Sequence, residues 1–172
     1  MKLLKNDLVP FLSRKEIEVF VSRLASQIED DYRGRDLVLV CPLRGSIHFV
    51  TDLSRKLSFP LRIDFVYLRA VEKGGAIKIM KDISTNITGK HVLIVEEIID
   101  SGRTLMFLKS RLQASHPASV RVVTLLDKPS RRELNIKPDY VGKTIDDRFV
   151  VGYGMDSEEL GRNYPDIYCL KN

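Results

Sequence analysis

The sequence contains no tryptophan, only two cysteines and three histidines, and these shortages exclude several kinds of protein. Cys41 and Cys169 lie far apart in the chain, and two cysteines are too few for a disulfide framework or a zinc cluster. We therefore expect both to be buried free thiols in a reducing cytoplasm. The three histidines, His48, His91 and His116, do not have the spacing of metal ligands.

The chain also lacks a long apolar segment. No stretch of about 18 apolar residues is present to cross a membrane, so no membrane partner is expected. We do not expect the first residues to form a signal peptide, because Lys5, Asp7 and Pro10 interrupt their apolar region. With 172 residues, 44% of them hydrophobic and 30% charged, the composition is typical of one globular domain with a sizeable core.

Charge of one sign does not dominate the sequence: 28 Lys and Arg stand against 23 Asp and Glu, a net charge of +5. This excess is compatible with an ordinary, slightly basic surface and also with attraction of a polyanionic substrate. Basic and aromatic residues are not interleaved, and no nucleic-acid-binding motif is present. We therefore do not expect a nucleic-acid partner.

The spacing of apolar residues predicts alternating helices and strands. Ser13 and Glu16 form a capping-box pattern, and apolar residues at helical spacing from Ile17 to Ile28 predict a helix that ends near Gly34. Further helices are predicted over 46–57 and 104–115. Strands are predicted over 37–41, 61–68, 77–80, 92–95, 120–126 and 149–152.

This alternation predicts an α/β fold in which helices flank a parallel sheet. We expect a single domain over residues 1–172, with a core from about 13 to 152 and a small cap formed by the ends, about 1–12 and 153–172. In such sheets ligands bind beyond the carboxyl ends of the strands. The loops to consider are therefore 42–45, 68–76, 96–104 and 127–132.

The most informative loop follows the buried strand Val92–Val95. It carries Glu96 and Glu97, and then the run Asp100-Ser-Gly-Arg-Thr104. Carboxylates this close repel one another unless a cation or a polyol meets them. Two hydroxyls, a glycine that permits close approach of the backbone, and the free N–H groups of the next helix suit a monophosphate. Part of this pattern is compatible with a capped turn, but the full string 92–105 predicts a ribose phosphate site.

Residues 92–104 resemble the signature of the type I phosphoribosyltransferases, which is four apolar, two acidic and two apolar residues followed by Asp-Ser/Thr-Gly-x-Thr. Glu97 departs from it, because the second acidic residue is usually aspartate. The resemblance is to the hypoxanthine-guanine branch and covers the chain from residue 36 to 168. It implies the fold of that family, Mg²⁺ as cofactor, and two substrates, phosphoribosyl pyrophosphate and a 6-oxopurine base.

The resemblance also implies roles for the residues around the ribose. Asp100 would remove a proton from the base, and Glu96 and Glu97 would contact the ribose hydroxyls and the metal. Leu43-Arg44-Gly45 is similar to the family's pyrophosphate loop, where a non-proline cis peptide exposes a backbone N–H. The 5-phosphate would be bound by the residues that open the next helix: Ser101, Gly102, Arg103 and Thr104.

Five further positions match the family's base and pyrophosphate sites. Lys128 matches the lysine that donates to the 6-oxo group of the purine, and Phe149 and Val150 match the segment that stacks on the base and meets its edge. Asp156 matches an aspartate on the magnesium ion, and Arg162 an arginine on pyrophosphate. Taken singly, each is also compatible with a surface or core position.

The family's mobile lid is altered in this chain. The stretch 67–76 is shorter by several residues and lacks the usual Ser-Tyr pair. Arg69 or Lys73 would reach pyrophosphate instead, or would be plain solvated charges; whether the loop closes over the site is left open. Since the family usually forms dimers or tetramers, the resemblance also implies a homo-oligomer.

The hypothesis that results is a purine salvage enzyme that makes IMP or GMP and pyrophosphate. Two alternatives stay open at this point. One is a xanthine-preferring relative, since Lys128 serves either base. The other is a regulatory, nucleotide-sensing relative that binds RNA, which the basic composition and the short lid leave open. The presence of Asp100, Lys128 and Asp156 favours the enzyme, because a sensor does not need a catalytic base.

Overall fold

The computed structural model describes residues 8–70 and 76–171, and this part of the chain forms two sheets and three α-helices. The helices are α1 Arg14–Tyr32, α2 Ile47–Ser54 and α3 Arg103–Gln113. None of them is long and apolar enough to cross a membrane. The strands are β1 Leu8–Leu12, β2 Leu37–Leu43, β3 Arg62–Ala70, β4 Ile77–Lys81, β5 His91–Ile99, β6 Ser119–Asp127, β7 Tyr140–Thr144, β8 Val150–Val151 and β9 Ile167–Leu170.

The larger sheet has the order β4-β3-β2-β5-β6-β7, and its neighbours are parallel except β3 with β4. Successive residues of a strand face opposite sides, so the continuous apolar runs of β2 and β5 are buried on both faces. Leu39 and Leu93 pack in the core with α1 and α2, whereas Val40 and Ile94 pack in the core with α3. The predicted parallel sheet flanked by helices is confirmed.

Helix α1 begins and ends where the sequence predicts. Ser13 Oγ accepts from the amide of Glu16 at 3.3 Å, and the amide of Ser13 donates to the Glu16 carboxylate at 2.9 Å. This reciprocal capping box satisfies N–H groups that have no acceptor within the helix. The helix ends at Tyr32, and Gly34 follows with a φ of +76°, which glycine adopts without a steric cost.

The smaller sheet has the order β1-β9-β8, so it combines the first strand with the last two. Strand β1 pairs antiparallel with β9, and β9 pairs antiparallel with β8. The strand predicted over 149–152 is present as β8, but it does not join the main sheet as expected: Val150 and Val151 pair with Cys169 and Tyr168 of β9. A short apolar strand is buried equally well in either sheet, so its pattern does not reveal its partner. Residues 1–7 of the predicted cap lie outside the described residues.

Strand β7 forms one edge of the main sheet and is not predicted from the sequence. Its five residues, Tyr-Val-Gly-Lys-Thr, are partly polar and contain a glycine, which argues against a strand. The glycine has a packing reason, because a Cβ at Gly142 would lie 2.4 Å from the carbonyl oxygen of Leu125 on β6. Here a glycine within a strand marks the close approach of two backbones.

Candidate functional site

The carboxyl ends of β2, β5 and β6 lie side by side, because these strands are neighbours in a parallel arrangement. Ile99, the last residue of β5, is paired with Asp127, the last residue of β6. One residue further along, the amide of Lys128 donates to the carbonyl of Ile99 at 3.0 Å. The loops that follow these strands therefore meet at one edge of the sheet.

A cavity of about 240 Å³ opens at this edge. Its wall combines one residue of β2 with the end of β5 and the start of α3: Pro42, Glu96, Glu97, Ile98, Ile99, Asp100, Ser101, Gly102, Thr104 and Leu105. Arg103 does not line the cavity, and its Nε lies 2.5 Å from Glu133 Oε2. The structure thus brings the carboxyls and hydroxyls of the predicted ribose phosphate site around a single space.

The start of α3 offers backbone amides to this space. Gly102 precedes the helix with a φ of +82°, a left-handed conformation that favours glycine. The amide of Arg103 lies 3.4 Å from Ser101 Oγ. Among the described residues, the amides of Thr104 and Leu105 have no acceptor. Unpaired amides together with the positive end of the helix dipole make this start suitable for an anion.

At the end of β5, Glu96 is buried and Glu97 is half-buried. Burial, reinforced by the charge of Glu97, raises the pKa of the Glu96 carboxyl well above its ordinary range. Burial also raises the pKa of Glu97 to about 7, although the Arg162 guanidinium opposes the shift. A hydrogen-bond donor or a cation beside these carboxyls would stabilise their charged form, so they suit hydroxyl groups or a metal ion.

The loop after β2 passes between Glu97 and the cap. Its Leu43–Arg44 peptide is cis, the conformation expected for the pyrophosphate loop. A Cβ at Gly45 would lie 1.8 Å from Glu97 Oε1, and a Cβ at Gly154 would lie 1.9 Å from the carbonyl oxygen of Gly45. A side chain at position 154 would therefore meet the backbone of this loop, whereas one at position 45 would meet the movable end of the Glu97 side chain.

Arg44 and Arg162 converge on one carboxylate. Arg44 Nη1 lies 2.5 Å from Glu159 Oε2, and Arg162 Nη2 lies 3.3 Å from the same oxygen. Arg162 Nη2 also lies 2.7 Å from Asp156 Oδ1, and Arg162 Nη1 donates to the carbonyl of Gly154 at 2.9 Å. The two predicted pyrophosphate ligands are thus adjacent, although one follows β2 and the other lies between β8 and β9. The sequence does not single out Glu159.

The loop 127–132 holds Asp100 with a cation that the sequence also does not single out. Arg131 Nε lies 3.1 Å from Asp100 Oδ1, and Arg131 Nη1 lies 3.6 Å from Asp147 Oδ2. The Asp100 side chain is 49% exposed, so a ligand in the cavity can still reach it. The carboxylate is oriented from the side of β6.

Arg132 anchors the same loop from beneath. Its side chain is only 12% exposed, and it donates to the backbone carbonyl of Asp100 and to the carboxylate of Asp127. The first of these contacts joins residues that are 32 positions apart, so no local pattern could reveal it. The one available signal is the pair of adjacent arginines after Pro129.

Lys128 and Phe149 have unusual exposures for their types. Lys128 is 6% exposed, yet its ammonium group has no hydrogen-bond or ion-pair partner in the part of the chain that the structure describes. The nitrogen itself keeps contact with solvent, because it is not among the buried side-chain atoms that lack a hydrogen-bond partner. It can therefore donate to a ligand at the edge of the sheet. Phe149 is 51% exposed, and next to it Val150 is buried in β8. The exposed ring offers a flat surface for stacking.

Within residues 8–70 and 76–171, no three His, Cys, Asp or Glu side chains are grouped so as to hold a metal ion. The predicted metal set, Asp156 with Glu96 and Glu97, is therefore not assembled as one cluster. Asp156 instead accepts from the amide of Glu159 at 2.8 Å and pairs with Arg162. Magnesium sites commonly use one or two protein carboxylates and complete the shell with substrate phosphates and water. The carboxylates present fit a metal ion of that kind.

The predicted lid lies only partly within the structure. Residues 71–75, which include Lys73, are outside the described residues. Arg69 is exposed on β3, where it pairs with Lys78 of β4. Contact between either side chain and pyrophosphate stays a prediction.

Comparisons with known sequences agree with this geometry. A model of the phosphoribosyl transferase domain matches residues 11–158. A hypoxanthine-guanine phosphoribosyltransferase from Staphylococcus aureus is 43% identical over 164 residues, which are 93% of this chain and 92% of the relative. One from Staphylococcus epidermidis is 42% identical over 174 residues and covers 99% of this chain and 96% of the relative.

Solved structures show the same likeness. A hypoxanthine-guanine phosphoribosyltransferase from Bacillus anthracis has a TM-score of 0.91 at 42% identity, covering 95% of this chain and 97% of that chain. A hypoxanthine phosphoribosyltransferase from Staphylococcus aureus has a TM-score of 0.93 at 42% identity, covering 96% of this chain and 93% of that chain. The likeness therefore extends over nearly the whole molecule, including the cap.

Proposed function

Because the chain belongs to the phosphoribosyltransferase family, we propose that it acts in purine salvage as a hypoxanthine-guanine phosphoribosyltransferase. It transfers ribose 5-phosphate from phosphoribosyl pyrophosphate to hypoxanthine or guanine and releases pyrophosphate with IMP or GMP. The observation that carries this function is the cavity at the end of β5. There, one buried and one half-buried carboxyl, two hydroxyls and a helix start line one space, which are the groups that a ribose phosphate needs.

The start of α3 binds the 5-phosphate in this proposal. The amides that open the helix and the hydroxyls of Ser101 and Thr104 donate to the phosphate oxygens, and Gly102 permits close approach. Arg103 contributes its backbone, because its guanidinium is paired with Glu133. The carboxyls of Glu96 and Glu97 accept hydrogen bonds from the two ribose hydroxyls.

Arg44 and Arg162 bind the leaving group. Negative charge grows on pyrophosphate as its bond to the ribose breaks, and donors already aimed at that charge stabilise the transition state. The two guanidiniums are adjacent before substrate binds. Gly45 leaves the backbone of the same loop open to the phosphate oxygens.

The cofactor in this proposal is Mg²⁺. Asp156 would hold it from the cap, and Glu96 and Glu97 would hold it from the end of β5, with phosphate oxygens completing the shell. When bound, it neutralises part of the charge on the leaving pyrophosphate.

Base recognition falls to Lys128, Phe149 and Val150. The Lys128 ammonium group donates to the 6-oxo group, Phe149 stacks on the ring, and the backbone of Val150 meets its edge. A 6-amino group would place a donor against a donor, which excludes adenine. Asp100, oriented by Arg131, accepts the proton that the purine nitrogen loses.

Two alternatives are a regulatory RNA-binding relative and a xanthine-preferring enzyme. Relatives that match nearly the whole chain are named as hypoxanthine-guanine enzymes, so a regulatory RNA-binding protein is not favoured. A preference for xanthine is also not favoured by those names, but Lys128 would contact the 6-oxo group of xanthine as well. Base preference is therefore measured directly.

The test is an assay with phosphoribosyl pyrophosphate, Mg²⁺ and each of hypoxanthine, guanine, xanthine and adenine. We expect turnover with hypoxanthine and guanine, and none with adenine. Absence of turnover with every base would overturn the enzyme, and faster turnover with xanthine would support the xanthine-preferring alternative.

A second test concerns Asp100. Asp100→Asn should lower kcat by about 10²- to 10³-fold while leaving the Kd for IMP nearly unchanged. Asp146→Asn is the matched control, because Asp146 is 87% exposed and pairs only with Arg148 among the described residues. Equal losses of kcat and IMP affinity in Asp100→Asn would contradict its role as base.

We also propose a cytoplasmic location and a homo-oligomer, either a dimer or a tetramer. Both Cys41 and Cys169 are free thiols, which a reducing compartment favours. Light scattering on the purified chain measures the subunit number, and a monomer at micromolar concentration would contradict the second part of the proposal.

A further inference from the structure

Glu159 occupies the place between Arg44 and Arg162 that the proposed function gives to pyrophosphate. A single oxygen, Glu159 Oε2, lies 2.5 Å from Arg44 Nη1 and 3.3 Å from Arg162 Nη2. Arginine binds carboxylates and phosphates with the same N–H groups and similar geometry. A pyrophosphate oxygen therefore cannot accept the same N–H groups, or take the same place between the two guanidiniums, while Glu159 does.

The turn that carries Glu159 presents it at a conformational cost. Ser157 and Leu160 exchange both backbone hydrogen bonds at 3.0 Å, so Glu158 and Glu159 are the corner residues of a two-residue turn. Their φ values are +52° and +67°, a region that favours glycine, asparagine and aspartate. Backbone preference does not explain a glutamate at the second corner, whereas its contacts with two arginines do.

The contact is accessible enough to be exchanged for a ligand. The Glu159 side chain is 61% exposed and that of Arg44 is 54% exposed, and ion pairs at such exposure are weak. Arg162 is held independently by the Gly154 carbonyl at 2.9 Å and by Asp156 at 2.7 Å. Arg44 also lies over the ring of Tyr67, 5.9 Å from its centroid. Both guanidiniums thus keep partners when Glu159 leaves.

We propose that Glu159 is a positioning residue that holds Arg44 and Arg162 together in the substrate-free enzyme and competes with pyrophosphate for them. This inference rests on the proposed function, because it takes the two arginines as pyrophosphate ligands. Competition weakens the binding of pyrophosphate and so favours its release after transfer. Removal of the carboxylate charge should therefore tighten pyrophosphate binding.

Two variants test the competition. Glu159→Gln keeps the length of the side chain and removes its charge, and Glu159→Asn removes the charge with a residue that tolerates the left-handed backbone. Titration calorimetry with inorganic pyrophosphate and Mg²⁺ measures the affinity of each. We expect the Kd for pyrophosphate to fall about 2- to 5-fold in both, as loss of a weak competing ion pair implies. The KM for phosphoribosyl pyrophosphate should fall as well.

A merely structural role for Glu159 would give a different result. The Kd for IMP should stay unchanged in both variants, because IMP carries the base and the 5-phosphate but no pyrophosphate. Glu158→Gln is the matched control, since it removes the same charge from the neighbouring corner of the turn. Unchanged or weaker pyrophosphate binding in the Glu159 variants, or an equal gain in Glu158→Gln, would overturn the inference.

Failure of the proposed function is recognised separately. In that case the wild-type protein shows no turnover with any purine base, and Arg44→Gln leaves the affinity for pyrophosphate unchanged. Suppose instead that turnover is present and Arg44→Gln weakens pyrophosphate binding. An unchanged affinity of Glu159→Gln for pyrophosphate then contradicts the role of Glu159 and leaves the proposed function standing.

Discussion

The carboxylate of Glu97 lies against the α-carbon of Gly45, so close that a Cβ at position 45 would lie 1.8 Å from Oε1. Glutamate is one methylene longer than the aspartate usual at this place in the family, and its length suits this contact. Gly154 packs on the other side of the loop, where a Cβ would lie 1.9 Å from the carbonyl oxygen of Gly45. The end of β5, the loop after β2 and the segment that carries Gly154 are therefore in direct contact.

Gly154→Ala should destabilise the protein more than Gly45→Ala. The added Cβ at 154 meets a backbone oxygen, and a φ of +100° is unfavourable for alanine, whereas the Cβ at 45 meets the end of a flexible side chain. We expect the free energy of unfolding to fall by about 3 kcal/mol in Gly154→Ala and about 1 kcal/mol in Gly45→Ala, measured by urea denaturation. Gly34→Ala has a φ of +76° and nothing within 4 Å, so it controls for backbone strain alone. An equal loss in Gly34→Ala and Gly154→Ala would contradict the packing argument.

Glu97→Gln should remove a pH dependence of stability. The pKa of Glu97 is raised by burial from 4.5 to about 7, so the native state binds more protons than the unfolded chain between these values. The stability that this carboxyl contributes is therefore full below pH 4.5 and is lost as the pH rises through 7. We expect the Tm of Glu97→Gln minus that of wild type to be larger at about pH 8 than at about pH 5. Glu18→Gln, an exposed carboxyl on α1, should not; parallel Tm curves for wild type and Glu97→Gln would contradict the prediction.

Lys128→Gln should reduce kcat/KM with hypoxanthine by about 10- to 100-fold, because hydrogen bonds to a charged group contribute about 1.5–3 kcal/mol. The KM for phosphoribosyl pyrophosphate should change little, since Lys128 faces the base in the proposed site. Steady-state kinetics with each substrate varied in turn distinguishes the two effects. Lys15→Gln, an exposed lysine on α1, is the control. A rise in the KM for phosphoribosyl pyrophosphate as large as the effect on the base would speak against base recognition by Lys128.

Arg132→Gln should cost about 3 kcal/mol of unfolding free energy, because it leaves the mostly buried Asp127 carboxylate without its partner. It should also raise the KM for phosphoribosyl pyrophosphate, since Arg132 holds the backbone carbonyl of Asp100 beside the proposed 5-phosphate site. Urea denaturation and steady-state kinetics measure the two effects. Arg33→Gln is the comparison: its side chain is 71% exposed and pairs with Glu29, so a loss below about 1 kcal/mol is expected. Similar losses in both variants would show that Arg132 is not an anchor.

The sequence was sufficient for the parallel sheet and for the place of the cavity at the end of β5. Continuous apolar runs such as 37–41 and 92–95 are buried only in a sheet that is covered on both faces. The capping box at Ser13 and the glycine-permitted turn before α3 depend on neighbouring residues. The wall of the cavity is largely one consecutive stretch, 96–105, so its assembly follows from the local order of the chain.

Packing between distant segments was needed for the rest. Val150 and Val151 join the smaller sheet by pairing with β9. Strand β7 forms an edge of the main sheet, where Gly142 leaves room for the backbone of Leu125 on β6. Arg132 and Glu159 look in the sequence like ordinary charged residues of a turn. Their contacts with Asp100 and Arg44 exist because the sheet and the cap bring those chain segments together. Periodicity encodes which face of an element is buried, but not which distant side chain will meet it.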